Sequence, residues 1–379
     1  MDFQLTEEQQ MLKQTVREFA EKELKPKAAY WDEHEEPPLE NLKKLADLGF
    51  LGITIPEEYG GAGGDYIDFL VVSEEIARCC ANTAMLSSNA DFSVTRALLY
   101  YGTEAQKQEY IPRMVKGELL TAWSMSEPNA GSDLGNIQSV AHKDGNGYRI
   151  NGSKTFCTCG QLADLFFVFV RFGDTPGTKG IGGVLIERDT PGFSTSKHIS
   201  CMGLRGTGMS QVFLEDVWVP EENVLVPAGG LRQLMEIVDI DRVISNPNIS
   251  LGVAQGALDE AIRYAKERVQ FKQPIAQFQG IQWMLADMAM KLDAARLLVY
   301  RAASNAAKGV SSMYEASVAK TMANEAAIEV TNQAIQIFGG YGYTKEYPVE
   351  RMSRDVRGMA IGFGTTQIQR NMIARALLK

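Results

Sequence analysis

Leu12, Val16, Phe19 and Leu24 recur at helical intervals among Glu and Lys, and Thr6 with Gln9 has capping-box spacing. The chain therefore opens on an amphipathic helix. Helical patterning also covers residues 39–56 and 66–118, on either side of the loop Pro56-Glu57-Glu58-Tyr59-Gly60-Gly61-Ala62-Gly63-Gly64. Near residue 120 the texture becomes β-rich. Leu165–Val170, Gly183–Ile186 and Gln211–Leu214 are short runs separated by Gly, Pro and Asp, and Asn151-Gly152 lies between two such runs, which predicts a hairpin turn there. From about residue 229 long helical patterns return and continue to a terminal helix with Met372, Ile373, Leu377 and Leu378. There is no internal repeat. The expectation is an α+β, multidomain chain: a helical domain over 1–119, a β-barrel or sandwich over 120–228 and a helical domain over 229–379.

At 379 residues, 45% of them hydrophobic, the chain is long enough for two or three packed units. A net charge of -9 disfavours a nucleic-acid surface, because phosphate binding needs clustered Lys and Arg. The five cysteines, Cys79, Cys80, Cys157, Cys159 and Cys201, lack the paired spacing of a zinc site, so free thiols in a reducing cytoplasm and no metal are expected. No secretory leader is apparent and no segment is long and apolar enough for a membrane span, which predicts a soluble protein. The glycine-rich loop at 60–64 lacks the preceding strand of a dinucleotide fingerprint and is taken as a connection. His34, His142 and His198 lie outside every motif and receive no role.

Thr121-Ala-Trp-Ser-Met-Ser-Glu-Pro-Asn-Ala-Gly-Ser-Asp133 resembles one signature of the acyl-CoA dehydrogenases. Gln336–Gly342, Tyr347–Arg351 and Arg354-Asp355 resemble the family's C-terminal segment. Ordered motifs in three differently textured blocks cover essentially the whole chain. The resemblance implies an N-terminal helical domain, a middle β-barrel domain, a C-terminal four-helix bundle, FAD between them and a homotetramer. An acyl-CoA is the implied substrate and an electron-transferring flavoprotein the implied oxidant.

The flat, amphipathic flavin ring needs apolar cover on its faces and donors at its polar edge. By resemblance Met125, Ser126, Phe156 and Thr158 meet it; Ser126 and Thr158 bond the edge and Phe156 replaces a frequent tryptophan. Arg268 and Phe271 match the element at the pyrophosphate, with Lys272 where the family often has glycine. Gln279, Gln336, Gly339 and Gly340 fit the adenosine and pyrophosphate region, and Thr365 and Gln367 the last FAD contacts. Ser132 and the segment with Asp239 and Arg242 match the family's thioester-side and nucleotide-side contacts to CoA, with Arg242 at the nucleotide.

The family's usual base is a glutamate just before the Gly-Thr of the last motif, where this chain reads Ile361-Gly362-Phe363-Gly364-Thr365. Phe363 cannot accept a proton, and Gly362 replaces a bulky aromatic. Two carboxylates remain as candidates. Asp241 stands on the helix that carries the base in some relatives, and Asp91 stands in a largely uncharged stretch, 86–94, that aligns with the acyl-pocket lining. An acid in an apolar lining is costly without a task or a partner, and desolvation would make it a stronger base. A base at Asp91 favours an acyl group already unsaturated between α and β, whose γ-proton is vinylogously acidified. This pattern resembles cyclohex-1-ene-1-carboxyl-CoA dehydrogenases, which implies a 1,4-elimination to a conjugated cyclic diene. Conventional α,β-dehydrogenation with Asp241, or a non-catalytic flavin-binding or acyl-CoA-binding protein, remain the alternatives.

Overall fold

The computed structural model describes residues 4–310 and 312–378, the side chains of residues 241–243 excepted. The N-terminal part is built from α1 (Glu7–Phe19), α2 (Ala28–His34), α3 (Leu39–Asp47), α4 (Tyr66–Cys79), α5 (Ala81–Ser87), α6 (Val94–Tyr101) and α7 (Glu104–Val115). Thr6, Asp65 and Thr103 start α1, α4 and α7 with reciprocal capping boxes, which satisfy amides that no helical turn can reach. The helix expected over 39–56 stops at Asp47, because Gly49 and Gly52 take φ of 72° and 66°, a left-handed backbone that cannot continue it. The stretch 66–118 is likewise four helices, with the break at 88–93 ending on Ser93 at φ 55°.

The middle part holds β1 (Thr121–Ser124), β2 (Val140–Asp144), β3 (Gly147–Thr158), β4 (Leu165–Phe172), β5 (Ile181–Glu187), β6 (Phe193–Thr195), β7 (Met209–Pro220) and β8 (Val224–Val226). Its strand order is β6-β7-β3-β2-β4-β5-β8, with β1 parallel to β4. The apolar run of β4 is explained by burial on both faces. Leu165, Phe167 and Phe169 enter a core shared with α6 and α7, while Phe166, Val168 and Val170 enter the core of the sheet.

The hairpin turn expected at Asn151-Gly152 is not there: both residues lie inside β3, and the chain reverses at Gly145-Asn146. Gly152 marks a bulge against β7 instead, and a Cβ there would stand 2.4 Å from the Ser139 hydroxyl. Across the same bulge the Asn151 side chain donates to the Asp216 carboxylate and accepts the Asp216 backbone amide.

The last part comprises α8 (Leu231–Val243), α9 (Ser245–Glu267), the two-residue strands β9 (Val269–Gln270) and β10 (Gln273–Pro274), α10 (Gln279–Ala307), α11 (Met313–Phe338), α12 (Val349–Met359) and α13 (Thr366–Leu377). Side chains from α1 to α5 and from α9 to α12 share one continuous core. Among the described residues no helix is long and apolar enough to cross a membrane.

Candidate active site

β1 runs into Met125 and Ser126, both half-buried, and the Ser126 carbonyl accepts the Thr155 amide at 2.9 Å. That bond sets the loop after β1 beside the end of β3. There a bulge between Lys154 and Cys157 puts Phe156 at φ 53° and leaves its ring 64% exposed. Thr158, opposite Met209, is half-buried. An outward aromatic flanked by small hydroxyl side chains suits a flat ring with a polar edge.

Beneath this edge lies a pair that sequence reasoning missed. Lys154 is fully buried and donates to Glu127 at 2.7 Å, and Glu127 also accepts the Gln138 and Ser139 amides at 2.7 and 2.9 Å. Burial pulls the Lys154 ammonium down to about 8 against the pull of Glu127. Burial also opposes ionisation of Glu127, yet Lys154 and the neighbouring donors outweigh it and hold that carboxyl below its ordinary value. The available signal was Lys154 within a strand and Glu127 within the 121–133 motif.

At the other end, a cleft of about 510 Å³ is lined by Tyr264, Arg268, Phe338, Gly339, Gly340 and Tyr341 among others. The Arg268 guanidinium lies 5.4 Å from the centre of the Tyr341 ring. Gly339 takes φ 60°, and a Cβ on Gly339 or Gly340 would meet nothing within 4 Å, so the glycines leave the floor of the cleft open. Aromatic walls, one guanidinium and approachable backbone fit a nucleotide pyrophosphate. The strands β9 and β10 meet through Phe271 and Lys272 at φ 49° and 67°, so Lys272 adopts the left-handed backbone that glycine would take without strain. Phe271 is exposed, as are Gln279 at the start of α10, Gln336 and Gln367. The Thr365 hydroxyl accepts the Ile368 amide as the cap of α13.

Between α12 and α13 the loop with Gly362 and Phe363 is held from below. Asn246, Lys320 and Asn324, all buried, donate to the Met359 carbonyl, and Lys320 and Gln369 reach the Gly364 carbonyl at 3.1 and 3.0 Å. Phe363 is half-buried at φ 54° and Gly362 is exposed.

Asp91 is 1% exposed. Its Oδ1 accepts the Thr54 amide at 2.7 Å and the Thr54 hydroxyl at 2.9 Å, and Oδ2 accepts the Gly52 amide at 3.1 Å. Burial raises its pKa, and these donors with the Arg96 charge only partly offset the rise. Two residues earlier, Asn89 reaches the Thr121 carbonyl and the sulfur of Cys159, next to Thr158. Ser132 is exposed and Asp239 half-buried on α8. Asp241 and Arg242 fall on the same helix, but their side chains lie outside the described residues. Among the described residues no group of three or more His, Cys, Asp or Glu could hold a metal.

A helical, β, helical chain with an aromatic-edged strand end and an arginine–glycine cleft has the parts of a flavin-dependent oxidoreductase. The chain belongs to the acyl-CoA dehydrogenase family, and it acts on acyl-CoA thioesters: residues 6–118, 122–217 and 228–378 match that family's N-terminal, middle and C-terminal domains. It is 44% identical, over 100% of both chains, to the short-chain-specific acyl-CoA dehydrogenase of Clostridium acetobutylicum. It is 42% identical to the caffeyl-CoA reductase-Etf complex subunit CarC of Acetobacterium woodii, over 99% of each chain. Identity to the cyclohex-1-ene-1-carbonyl-CoA dehydrogenase of Syntrophus aciditrophicus is 41%, over 99% of this chain and 91% of that one. Among solved structures, butyryl-CoA dehydrogenase from Megasphaera elsdenii superposes with a TM-score of 0.95 at 37% identity over 100% of both chains. A glutaryl-CoA dehydrogenase from Mycobacterium smegmatis in complex with FADH2 superposes at 0.93 and 27% identity, covering 98% of this chain and 95% of that one.

Proposed function

We propose that the chain binds FAD and carries out a 1,4-elimination on cyclohex-1-ene-1-carboxyl-CoA, with Asp91 as the base. The observation that carries this reading is a buried carboxylate of raised proton affinity at position 91 together with phenylalanine where the family's glutamate would stand. Met125, Ser126, Phe156 and Thr158 would hold the ring; Arg268, Phe271, Gln279, Gln336, Gly339, Gly340, Thr365 and Gln367 would hold the rest of the cofactor. FAD, when bound, supplies the hydride acceptor.

The thioester conjugates with the ring double bond, so the γ C–H is the acidic one within reach of a base displaced from position 363. Asp91 takes that proton, the C–H electron pair shifts the double bonds, and a hydride leaves the ring carbon on the other side of the α-carbon. Two hydrogens are lost and a conjugated cyclic diene remains. Gly362 and Phe363 replace an aromatic and a carboxylate with space and an apolar wall, which suits a ring more than a linear chain. Ser132, Asp239 and Arg242 are assigned to the CoA portion.

For the electron acceptor we assign an electron-transferring flavoprotein, on the likeness to the Etf-complex subunit. A homotetramer is supported by Trp283, Met290 and Leu297, exposed apolar side chains seven residues apart along α10. A cytoplasmic setting is consistent with five free cysteines.

The test is anaerobic flavin bleaching by butyryl-CoA, cyclohexanecarboxyl-CoA and cyclohex-1-ene-1-carboxyl-CoA. Only the cyclohexenyl thioester is expected to bleach the wild type, and Asp91→Asn should slow this by about 10²-fold or more, as for loss of a general base. Bleaching by a saturated thioester that depends on Asp241 would instead establish conventional chemistry. Absence of bleaching by any thioester would leave a binding protein.

A further inference from the structure

Arg96 lies on α6 with 7% exposure, its guanidinium 5.4 Å from the centres of both the Tyr66 and Phe92 rings. Its Nη2 donates to the Thr54 hydroxyl, while its Nε has no hydrogen-bond partner. A guanidinium buried with an unfilled donor is expensive unless it has a task.

We propose that Arg96, acting through Thr54, is a positioning residue that favours the carboxylate form of Asp91 and directs the incoming proton to Oδ2. The inference rests on the reading of Asp91 as base. Arginine has no acceptor, so the Thr54 oxygen must accept from Arg96, and its own proton is left to point at Asp91 Oδ1. That oxygen already accepts the Thr54 amide. Two fixed donors therefore face Oδ1, and a proton arriving there would meet them head on. Oδ2 takes the longer bond, from the Gly52 amide, with the Ile53 amide also acting on the carboxylate, and is the oxygen assigned to receive a substrate proton.

The charge acts in the same direction. Burial favours the neutral acid, and the Arg96 cation opposes burial. The segment around Thr54 contributes amides and one hydroxyl. α4 contributes Tyr66, which interacts with Tyr100 of α6 beyond the guanidinium, and α7 sets Met114 against Thr95. Arg96 is the charged side chain that acts on the carboxyl.

The experiment follows the rate of anaerobic bleaching by cyclohex-1-ene-1-carboxyl-CoA against pH in the holoenzyme. In Thr54→Val the rising limb should move about one pH unit higher, making the reaction about tenfold slower below the wild-type pKa while the high-pH plateau survives. Thr54→Ser should restore the wild-type limb, and Arg96→Gln should shift it at least as far as Thr54→Val. If Arg96→Gln does not fold, the two Thr54 variants decide. An unmoved limb in Thr54→Val, with Asp91→Asn inactive, would overturn the proposal while leaving Asp91 as base. Unchanged bleaching in Asp91→Asn would remove the base reading and this inference with it.

Discussion

Single side chains show how burial sets proton affinity in this fold. Asp355 is buried and its Oδ1 accepts the Leu204 amide at 2.7 Å, joining α12 to the segment before β7. Burial pushes its carboxyl up to about 6, against the Arg351 guanidinium and that amide. The folded pKa lies above the unfolded one, so folding takes up a proton between roughly pH 4 and 6, and stability falls as pH rises through that window. The cost at neutral pH is about 3 kcal/mol. Asp355→Asn keeps the amide acceptor and should flatten this dependence, as urea midpoints at pH 4, 5, 6 and 7 would reveal. At Lys154, removal of the ammonium leaves Glu127 buried without its partner. Lys154→Met should cost about 3–5 kcal/mol and loosen flavin binding, since the pair anchors the strand end at Ser126 and Phe156. Unchanged thermal stability together with wild-type flavin retention would contradict this.

Turns and bulges are where whole elements meet local backbone limits. Lys272 holds φ 67° in the β9–β10 turn. A left-handed backbone strains an L-residue by about 1–2 kcal/mol, and glycine gives back part of that in unfolded-state entropy. Lys272→Gly should therefore raise stability by about 0.5–1 kcal/mol in urea denaturation. The bulge in β3 has the opposite requirement. Gly152→Ala would push a methyl to 2.4 Å from the Ser139 hydroxyl and should cost about 1–3 kcal/mol. A neutral result would mean that the bulge relaxes.

For the whole molecule, the decisive contact is the crossing of α4 and α9, where helices from the two ends of the chain approach through Gly252 and Gly256. A Cβ at Gly252 would lie 2.5 Å from the Glu74 carbonyl, and one at Gly256 2.3 Å from that of Arg78. Arg78 of α4 pairs with Asp259 of α9 at the crossing, and Arg296 of α10 and Arg354 of α12 add ion pairs to Glu74 of α4 and Asp32 of α2 between the same two helical parts. The two helical parts share one core and should unfold together. Gly256→Val is expected to split that transition or lower its midpoint sharply, with the sheet melting separately in near-ultraviolet circular dichroism.

Periodicity determined the helical, β, helical order, because burial of one helix face or of both faces of β4 leaves a pattern in the linear sequence; the Thr6–Gln9 spacing gave the cap of α1, and the resemblance of the motifs gave the family. By resemblance, the motifs also assigned the proposed flavin edge to 125–126 and 156–158 and set Phe363 where the family has its glutamate. Folding decided what depends on contacts between distant residues. The glycine at 152 became a bulge because Ser139 stands against it, and the turn moved to Gly145-Asn146. Lys154 found Glu127 across 27 positions, and Arg96 and Asp91 converged on Thr54 from about 40 positions away. A lone charged residue in an apolar stretch indicates that a partner must exist, but only the packed backbone determines which one lies within hydrogen-bond reach.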